Sequence, residues 1–331
     1  MVLRYLILVL VVGSALALNV CLGDVPVSPQ AAWSIVTGPP GAPQAGSGLA
    51  TMIWQIRLPR LLVAFVVGSG LAVSGYLLQS LSRNPLADPY LTGTSSGAGL
   101  AVAAATLAGL DFALVPLAAF AGGLAASTVV AAMARSPSGL SVSRLILCGV
   151  ALSAICSSLI TFALLDSGDP ARSQGLFLWL AGNIGGRSWS ELAASAAYIA
   201  VGLAAALVLS KPLRLLSVGV QSAAALGLDV VKAQWALLFA AILTCGASVA
   251  VSGLVGFVGL IAPHVARNLF GRDERSHIVS AALIGAALVL LADLAARTLA
   301  AGQELPLGTL LSLIGGPFFL WLVLHQRAEG L

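Results

Sequence analysis

The stretch LPRLLVAFVVGSGLAVSGYLLQSLSRNPLADPYLTG (58–93) settles the class of fold. No charged residue lies between Arg60 and Arg83, and the apolar run is interspersed with Gly68, Gly70, Ser74 and Gly75. A spanning helix needs about 20 predominantly apolar residues, and small residues let such helices approach one another closely. The run therefore predicts a membrane helix over 59–81. Beyond it, Pro85 and Pro89 lack an amide donor and interrupt any helix.

The pattern recurs outward in both directions. Candidate spans are 4–22, 59–81, 90–109, 112–134, 143–165, 189–210, 232–252, 255–270, 278–300 and 307–325, with a short surface helix at about 172–182. The eighth is short and contains Gly and Pro. Apolar residues make up 59% of the chain and charged residues 8%, against roughly 25% charged in a soluble domain. Lipid must therefore surround most of the chain. Strands of alternating polarity are not visible, which sets a β-barrel aside. The expectation is an all-α polytopic membrane protein of about ten transmembrane helices, one domain over 1–331. Arg4, the apolar run 5–22 and Ala15-Leu16-Ala17 have the look of a cleavable signal. A retained first span fits better, because many more spans follow.

Lys and Arg total 16 against 12 Asp and Glu, and only Lys211 and Lys232 are lysines. No basic stripe exists, so nucleic acid is not an expected partner. The basic residues instead report topology, because cytoplasmic ends of membrane helices are enriched in them. With the N-terminus inside, the cytoplasmic ends carry Arg4, Arg83, Arg135, Arg144, Lys211, Arg214, Lys232, Arg267, Arg272, Arg275 and Arg327. The outer side carries Arg57, Arg60, Arg172, Arg187 and Arg297. Both termini are expected in the cytoplasm. Residues 23–58 form a long outer loop with Trp33 and Trp54 as interface anchors. KPLRLLSVGVQSAAALGLDVV (211–231) is polar enough to leave the membrane and reads as two short helices with a break near Gly227.

Catalytic chemistry is not encoded. No GxxxxGK[ST] loop is present to cradle ATP phosphates. Cys21, Cys148, Cys156 and Cys245 show no metal-type spacing, and His264, His277 and His325 are not clustered. Asp293 and Arg297 are four residues apart, on one helix face, and can pair. Arg83 and Asp88 flank the break at Asn84-Pro85. A carrier driven by an ion gradient normally shows acids or histidines deep in several helices. Most acids here fall at helix ends, which argues for another energy source and leaves an ion-gradient-driven secondary transporter as the alternative of a different class.

Several motifs resemble the BtuC/FecCD-type permeases of type II ABC importers. They are Arg57-Leu58-Pro59-Arg60 leading into RNPLADPYLTGTSSGAGL (83–100), SRLILCGVALSAICSSL (143–159) and LWLAGNIGGRSW (178–189). GLVGFVGLIAPHVARNLFGRDER (253–275) follows, with ADLAAR (292–297) and ELPLGTLLSLIGGPFF (304–319). The resemblance covers nearly the whole chain. It implies a BtuC-like fold and a single transmembrane permease domain in a bacterial inner membrane. The partners implied are a second copy of the chain, two ATP-binding cassette subunits and a periplasmic binding protein. ATP and Mg then sit on the partner, with no cofactor here. The cargo implied is a ferric chelate, siderophore or haem, with cobalamin the alternative.

The resemblance also assigns residues. Asn84 and Leu86 match a cytoplasmic gate, with Ser141 and Val142 its second constriction. Residues 214–230 match coupling helices that sit in a cleft of the ATPase, framed by Ser217, Gly219, Ala223, Leu226, Gly227 and Val230. Arg57, Arg60 and Arg297 match an outer rim that pairs with glutamates of the binding protein, as Arg readily forks onto carboxylate. Gln79, Thr92, Ser95, Ser96, Ser153, Ser157 and Ser158 are candidate pathway-lining residues. Two departures are Val220, where relatives often carry an acid, and Leu254, where many have Pro. A reporter active only outside the cytoplasm, fused after Leu331, is expected to stay silent; activity there would reverse the orientation.

Overall fold

Lipid offers the backbone no hydrogen-bond partner, so each spanning run must close its own bonds as a helix, and all ten predicted runs do. The computed structural model describes residues 2–23, 25–38, 48–136, 139–166, 168–271, 273–299 and 303–328, apart from the side chains of Phe112, Asp166, Val323 and 325–328. Arg272, residues 24 and 39–47 of the outer loop, and the side chains of His325 and Arg327 lie outside the described residues. The helices are α1 (Val2–Cys21), α2 (Pro29–Thr37), α3 (Gly48–Thr51), α4 (Leu58–Ser82), α5 (Thr94–Leu107), α6 (Val115–Met133), α7 (Val142–Asp166) and α8 (Pro170–Leu180). They continue as α9 (Trp189–Val208), α10 (Ser210–Val218), α11 (Val220–Ala225), α12 (Val230–Ser252), α13 (Val258–Leu269), α14 (Glu274–Thr298) and α15 (Leu307–Ala328).

Seven helical segments among the described residues are long and apolar enough to cross a membrane: α1, the continuous rod Gly48–Ser82, α6, α7, α9, α12 and α14. Of the three remaining predicted runs, α15 is apolar over Leu307–Leu322, and α5 and α13 have 14 and 12 residues. At about 1.5 Å per residue these reach roughly 21 and 18 Å, short of a hydrocarbon layer about 30 Å thick. The loop predicted over 23–58 holds α2, α3 and a π-helical turn over Met52–Arg57 that runs into α4. The first span packs into the bundle, with Val12, Ala15 and Asn19 buried.

Helix α4 is the hub. It packs against α12, α13 and α14, and it is buried along most of its length, as is α12, while α1, α7 and α9 show most of their surface to the outside. The close approach depends on missing side chains. A Cβ at Gly75 would fall on the backbone of Gly259 in α13, and one at Gly68 on the backbone of Gly285 in α14. Hydroxyls bridge the same helices: Ser74 Oγ donates to the Ala241 carbonyl at 2.7 Å and Ser69 Oγ to that of Ala282 at 3.2 Å. Helix α4 ends at Arg83, in the left-handed region at φ 49°, before the turn at Asn84-Pro85.

The helices run antiparallel between two polar faces. One face gathers the start of α1, the end of α4, α10, α11 and the turn into α14. There the Arg4 guanidinium donates to the Leu269 carbonyl, the Tyr5 hydroxyl to that of Ser276 at 3.0 Å, and Arg275 Nε to Ser210 Oγ at 3.3 Å. The opposite face gathers the ends of α1 and α14 and the start of α4. Arg4 and Arg275 lie on the first face, and Arg57, Arg60 and Arg297 on the second.

The stretch 211–231 does form two short helices, but the break is at Gly219 (φ 138°), not near Gly227. Gly227 (φ 85°) instead closes the second helix. A two-residue hairpin, β1 (Arg135–Ser136) with β2 (Gly139–Leu140), was not expected. Gly75→Ala should lower thermal stability by about 1–3 kcal/mol through overpacking. Gly13, where an added Cβ would meet nothing within 4 Å, serves as the control. Equal unfolding midpoints for Gly75→Ala and Gly13→Ala would contradict the tight-crossing account.

Candidate functional site

A cavity of about 780 Å3 lies at the predicted residues, and α5, α7, α8 and the turn before α13 wall it. Ser95, Ser96, Ser153 and Ser157 line it together, beside Tyr90, Leu91, Phe177 and Leu180. Its lining side chains carry no formal charge. Ser153 Oγ donates to Ser96 Oγ at 3.0 Å, which ties α7 to α5. Tyr90 is held from both sides by Val255, giving its hydroxyl proton to the carbonyl at 2.8 Å and accepting from the amide at 2.7 Å. Such a wall offers weak, scattered hydrogen bonds to a large guest rather than tight chelation.

Three residues of the predicted lining lie elsewhere. Gln79 is buried between α4 and α13, donating to the Gly259 carbonyl at 3.0 Å and accepting from Arg267. Thr92 is buried in a hydroxyl chain through Thr94 to Ser127, with links of 2.7 and 2.6 Å. Ser158 turns back to the Ala154 carbonyl at 3.0 Å. Gln79 and Thr92 thus satisfy polar groups inside the bundle, where an unpaired one is costly, whereas Ser158 is exposed.

Below Leu91 the wall closes. A void of about 10 Å3 is lined by Leu78, Leu81, Ser82, Ala87, Leu91, Val142, Leu145 and Ile146. Leu81, Ser82 and Val142 also line a pocket of about 220 Å3 on the far side, together with Arg83, Leu140, Leu216, Val220 and Gln234. Val142, with Leu81 and Ser82, thus stands between the two spaces. Ser141 lies at the base of the hairpin, its amide donating to the Ala134 carbonyl at 2.9 Å. Asn84 folds the turn after α4, its Oδ1 accepting from the Leu86 amide at 2.9 Å. Leu86 is half-buried beside this constriction and does not line the void. Sequence reasoning missed Leu78, Leu91, Leu145 and Ile146. The signal was present, since Val142, Leu145 and Ile146 follow helical i, i+3, i+4 spacing on one face of α7.

On the same polar face, α10 buries Leu213 and Leu216 and turns Lys211, Arg214 and Ser217 outward. Ala223 anchors α11 beneath, fully buried. Val218 and Leu226, 69% and 67% exposed, form an apolar tip. Asp229 caps α12 by accepting from the Lys232 amide at 3.1 Å. The pair is a short, firmly rooted projection whose apolar end faces outward.

The opposite face carries the three predicted docking arginines, and all of them turn inward. Arg60 donates from Nε and Nη2 to Asp293 Oδ1 at 3.0 and 2.9 Å and from Nη1 to Glu304 at 2.7 Å. Arg297 Nε stands 3.3 Å from Asp293 Oδ2, and its Nη2 donates to Asn19 Oδ1 at 2.6 Å. Arg57 donates to the carbonyls of Val20 and Val25. Asp293 is wholly buried, and Arg57 and Arg60 are 7% and 8% exposed. The cluster therefore ties together the ends of α1, α4 and α14. An arriving carboxylate would meet Glu304, with a 47% exposed side chain, before it met Arg60.

A second buried cluster on the α10 face lies outside the predictions. Tyr76 donates to Glu274, His277 Nε2 meets the Phe270 carbonyl at 2.7 Å, and the Arg267 guanidinium stacks 5.5 Å from the Tyr76 ring. It joins α4 to α13 and α14. Among the described residues, His, Cys, Asp and Glu form no group that could hold a metal ion.

Comparison with known proteins places this geometry. A sequence model of the FecCD transport family matches residues 7–325. The hemin transport system permease protein HmuU of Yersinia pestis is 43% identical over 286 residues, covering 84% of each chain. The vitamin B12 import system permease protein BtuC of Escherichia coli O9:H4 (strain HS) is 39% identical over 316 residues, covering 95% of this chain and 92% of that one. A metal-chelate type ABC transporter solved in an inward-facing conformation superposes with a TM-score of 0.84 at 30% identity, covering 96% and 97%.

Asp293→Ala leaves Arg60 and Arg297 without their shared buried carboxylate, and should destabilise the fold by about 3–5 kcal/mol. Glu304→Gln, at an exposed partner, should cost about 1 kcal/mol or less. Thermal midpoints in detergent decide; equal losses for the two variants would refute the ranking.

Proposed function

The chain belongs to the FecCD transport family, and from that membership we propose how it works. It is a multi-pass permease subunit of an ABC importer for chelates, with ATP hydrolysis on a separate subunit. We propose that two copies form the pathway between them in a bacterial inner membrane, with both termini in the cytoplasm. Two ATP-binding cassette subunits grip the cytoplasmic face, and a periplasmic binding protein delivers cargo to the other. ATP and Mg then reside on the partner, and this chain holds no cofactor.

The observation that carries this reading is the exposed pair α10–α11. It is an apolar-tipped projection on a chain without a phosphate-binding loop, a shape suited to being pushed by a motor it does not contain. ATP binding and hydrolysis below shift the permease between outward and inward states, because the partner binds the two states with different affinity. Val142 and the aliphatic residues around it close the path by excluding water, with Leu86 beside them and Asn84 and Ser141 at the polar edge. The delivering protein docks over the arginine face. There Arg57, Arg60 and Arg297 hold the rim in shape through Asp293, Glu304, Asn19 and the carbonyls of Val20 and Val25.

A ferric chelate is the cargo we favour, haem first. The hemin permease relative and the uncharged cavity of about 780 Å3 support a large, partly apolar guest. Cobalamin is the second reading, supported by the B12 permease relatives. The test is reconstitution in proteoliposomes with its ATPase and binding-protein partners. Haem should accumulate only with ATP and be blocked by vanadate. Cobalamin accumulation without haem would move the cargo assignment. Uptake driven by a proton gradient alone would replace the importer reading with a secondary carrier.

A further inference from the structure

The hairpin Arg135–Leu140 immediately precedes Ser141 and Val142, and one side chain fastens it. Gln234, in the second turn of α12, is 5% exposed, and its Oε1 accepts from the Leu140 amide at 2.9 Å. Gly139 stands beside it at φ 116°, where a Cβ would strike the same oxygen. The next residue of α12, Trp235, lies under the Arg135 guanidinium, 5.9 Å from ring centre to the cation. Two successive residues of α12 thus hold both strands of the hairpin.

Position gives that grip a consequence. Gln234 sits one helical turn beyond Val230, where α12 begins directly after α11 and its Asp229 cap. It shares the pocket of about 220 Å3 with Val142, and with Leu216 and Val220 of the α10–α11 region. Displacement of α10–α11 reaches the start of α12 through three intervening residues, Leu226 to Leu228, and the capping Asp229. Gln234 is the buried polar link from there to the segment that carries Val142.

We propose that Gln234 is a positioning residue for the gate, whose amide oxygen ties the hairpin and Val142 to the helix that the coupling region drives. The proposal rests on the importer reading above. A buried backbone amide that loses its acceptor pays the cost of an unmade bond, so removing the oxygen loosens the hairpin's hold on α12.

The test uses the full complex in proteoliposomes, reading substrate moved per ATP hydrolysed alongside the thermal midpoint. Gln234→Leu keeps the volume and removes the acceptor; it should cut the transport-to-hydrolysis ratio by about fivefold or more. Gln234→Glu retains an acceptor oxygen in either protonation state and should hold the ratio within about twofold of the parent. Gly139→Ala, which leaves Gln234 in place but pushes its oxygen aside, should reproduce the loss. It also serves if Gln234→Leu fails to fold. Ratios unchanged in Gln234→Leu and Gly139→Ala, with only the midpoints lowered, would overturn the proposal. A parent complex that moves no substrate with ATP would instead overturn the importer reading on which it stands.

Discussion

In a bilayer, burying apolar side chains between helices gains little over leaving them in lipid, so association depends on close backbone packing and on interhelical hydrogen bonds. The crossings of α4 with α13 and α14 meet that constraint. Gly75 lies on the backbone of Gly259 and Gly68 on that of Gly285, with Ser74 and Ser69 bridging to neighbouring carbonyls. This packing aligns the turn at 83–93 with α7 and α8, and so forms the cavity wall. It also sets the start of α4 against Asp293, where the charged cluster assembles.

The two polar faces use charge differently. The arginine face satisfies its cations internally, which makes it stiff: three helix ends are cross-linked through Asp293 and Asn19. The opposite face keeps Lys211, Arg214 and Ser217 open to the outside around an apolar tip. A fixed rim at one end and an exposed handle at the other suit a conduit that is loaded from one side and moved from the other. Between them, Val142 and its aliphatic neighbours line a void of about 10 Å3 beside the serine-lined cavity.

Much of this was legible in the sequence. Helix positions follow from local hydropathy, so all ten runs were found, and α5 and α13 were overestimated because apolar residues continue past the point where the helix breaks. Family motifs brought attention to Val142 and to the serines that share the cavity. What was not legible depends on partners distant in sequence. The i, i+4 spacing shows that Asp293 and Arg297 can meet, but nothing local shows that Arg60 joins them from another helix. Gly219 and Gly227 look alike as sequence, and both adopt positive φ; only tertiary packing decides which separates the two helices. The hairpin had a signal, Ser136-Pro137-Ser138-Gly139, a turn cluster between apolar runs. Its strands are two residues each, too short for any periodicity to show.

The central claim is that this chain moves only because a nucleotide-driven partner holds α10 and α11. Hydrogen exchange of the purified permease, with and without its co-expressed ATPase subunit, measures that contact directly. Amides of residues 217–227 should exchange markedly more slowly in the complex, while those of the arginine face keep their rate. Exchange over 217–227 that does not change when the ATPase binds would contradict the account.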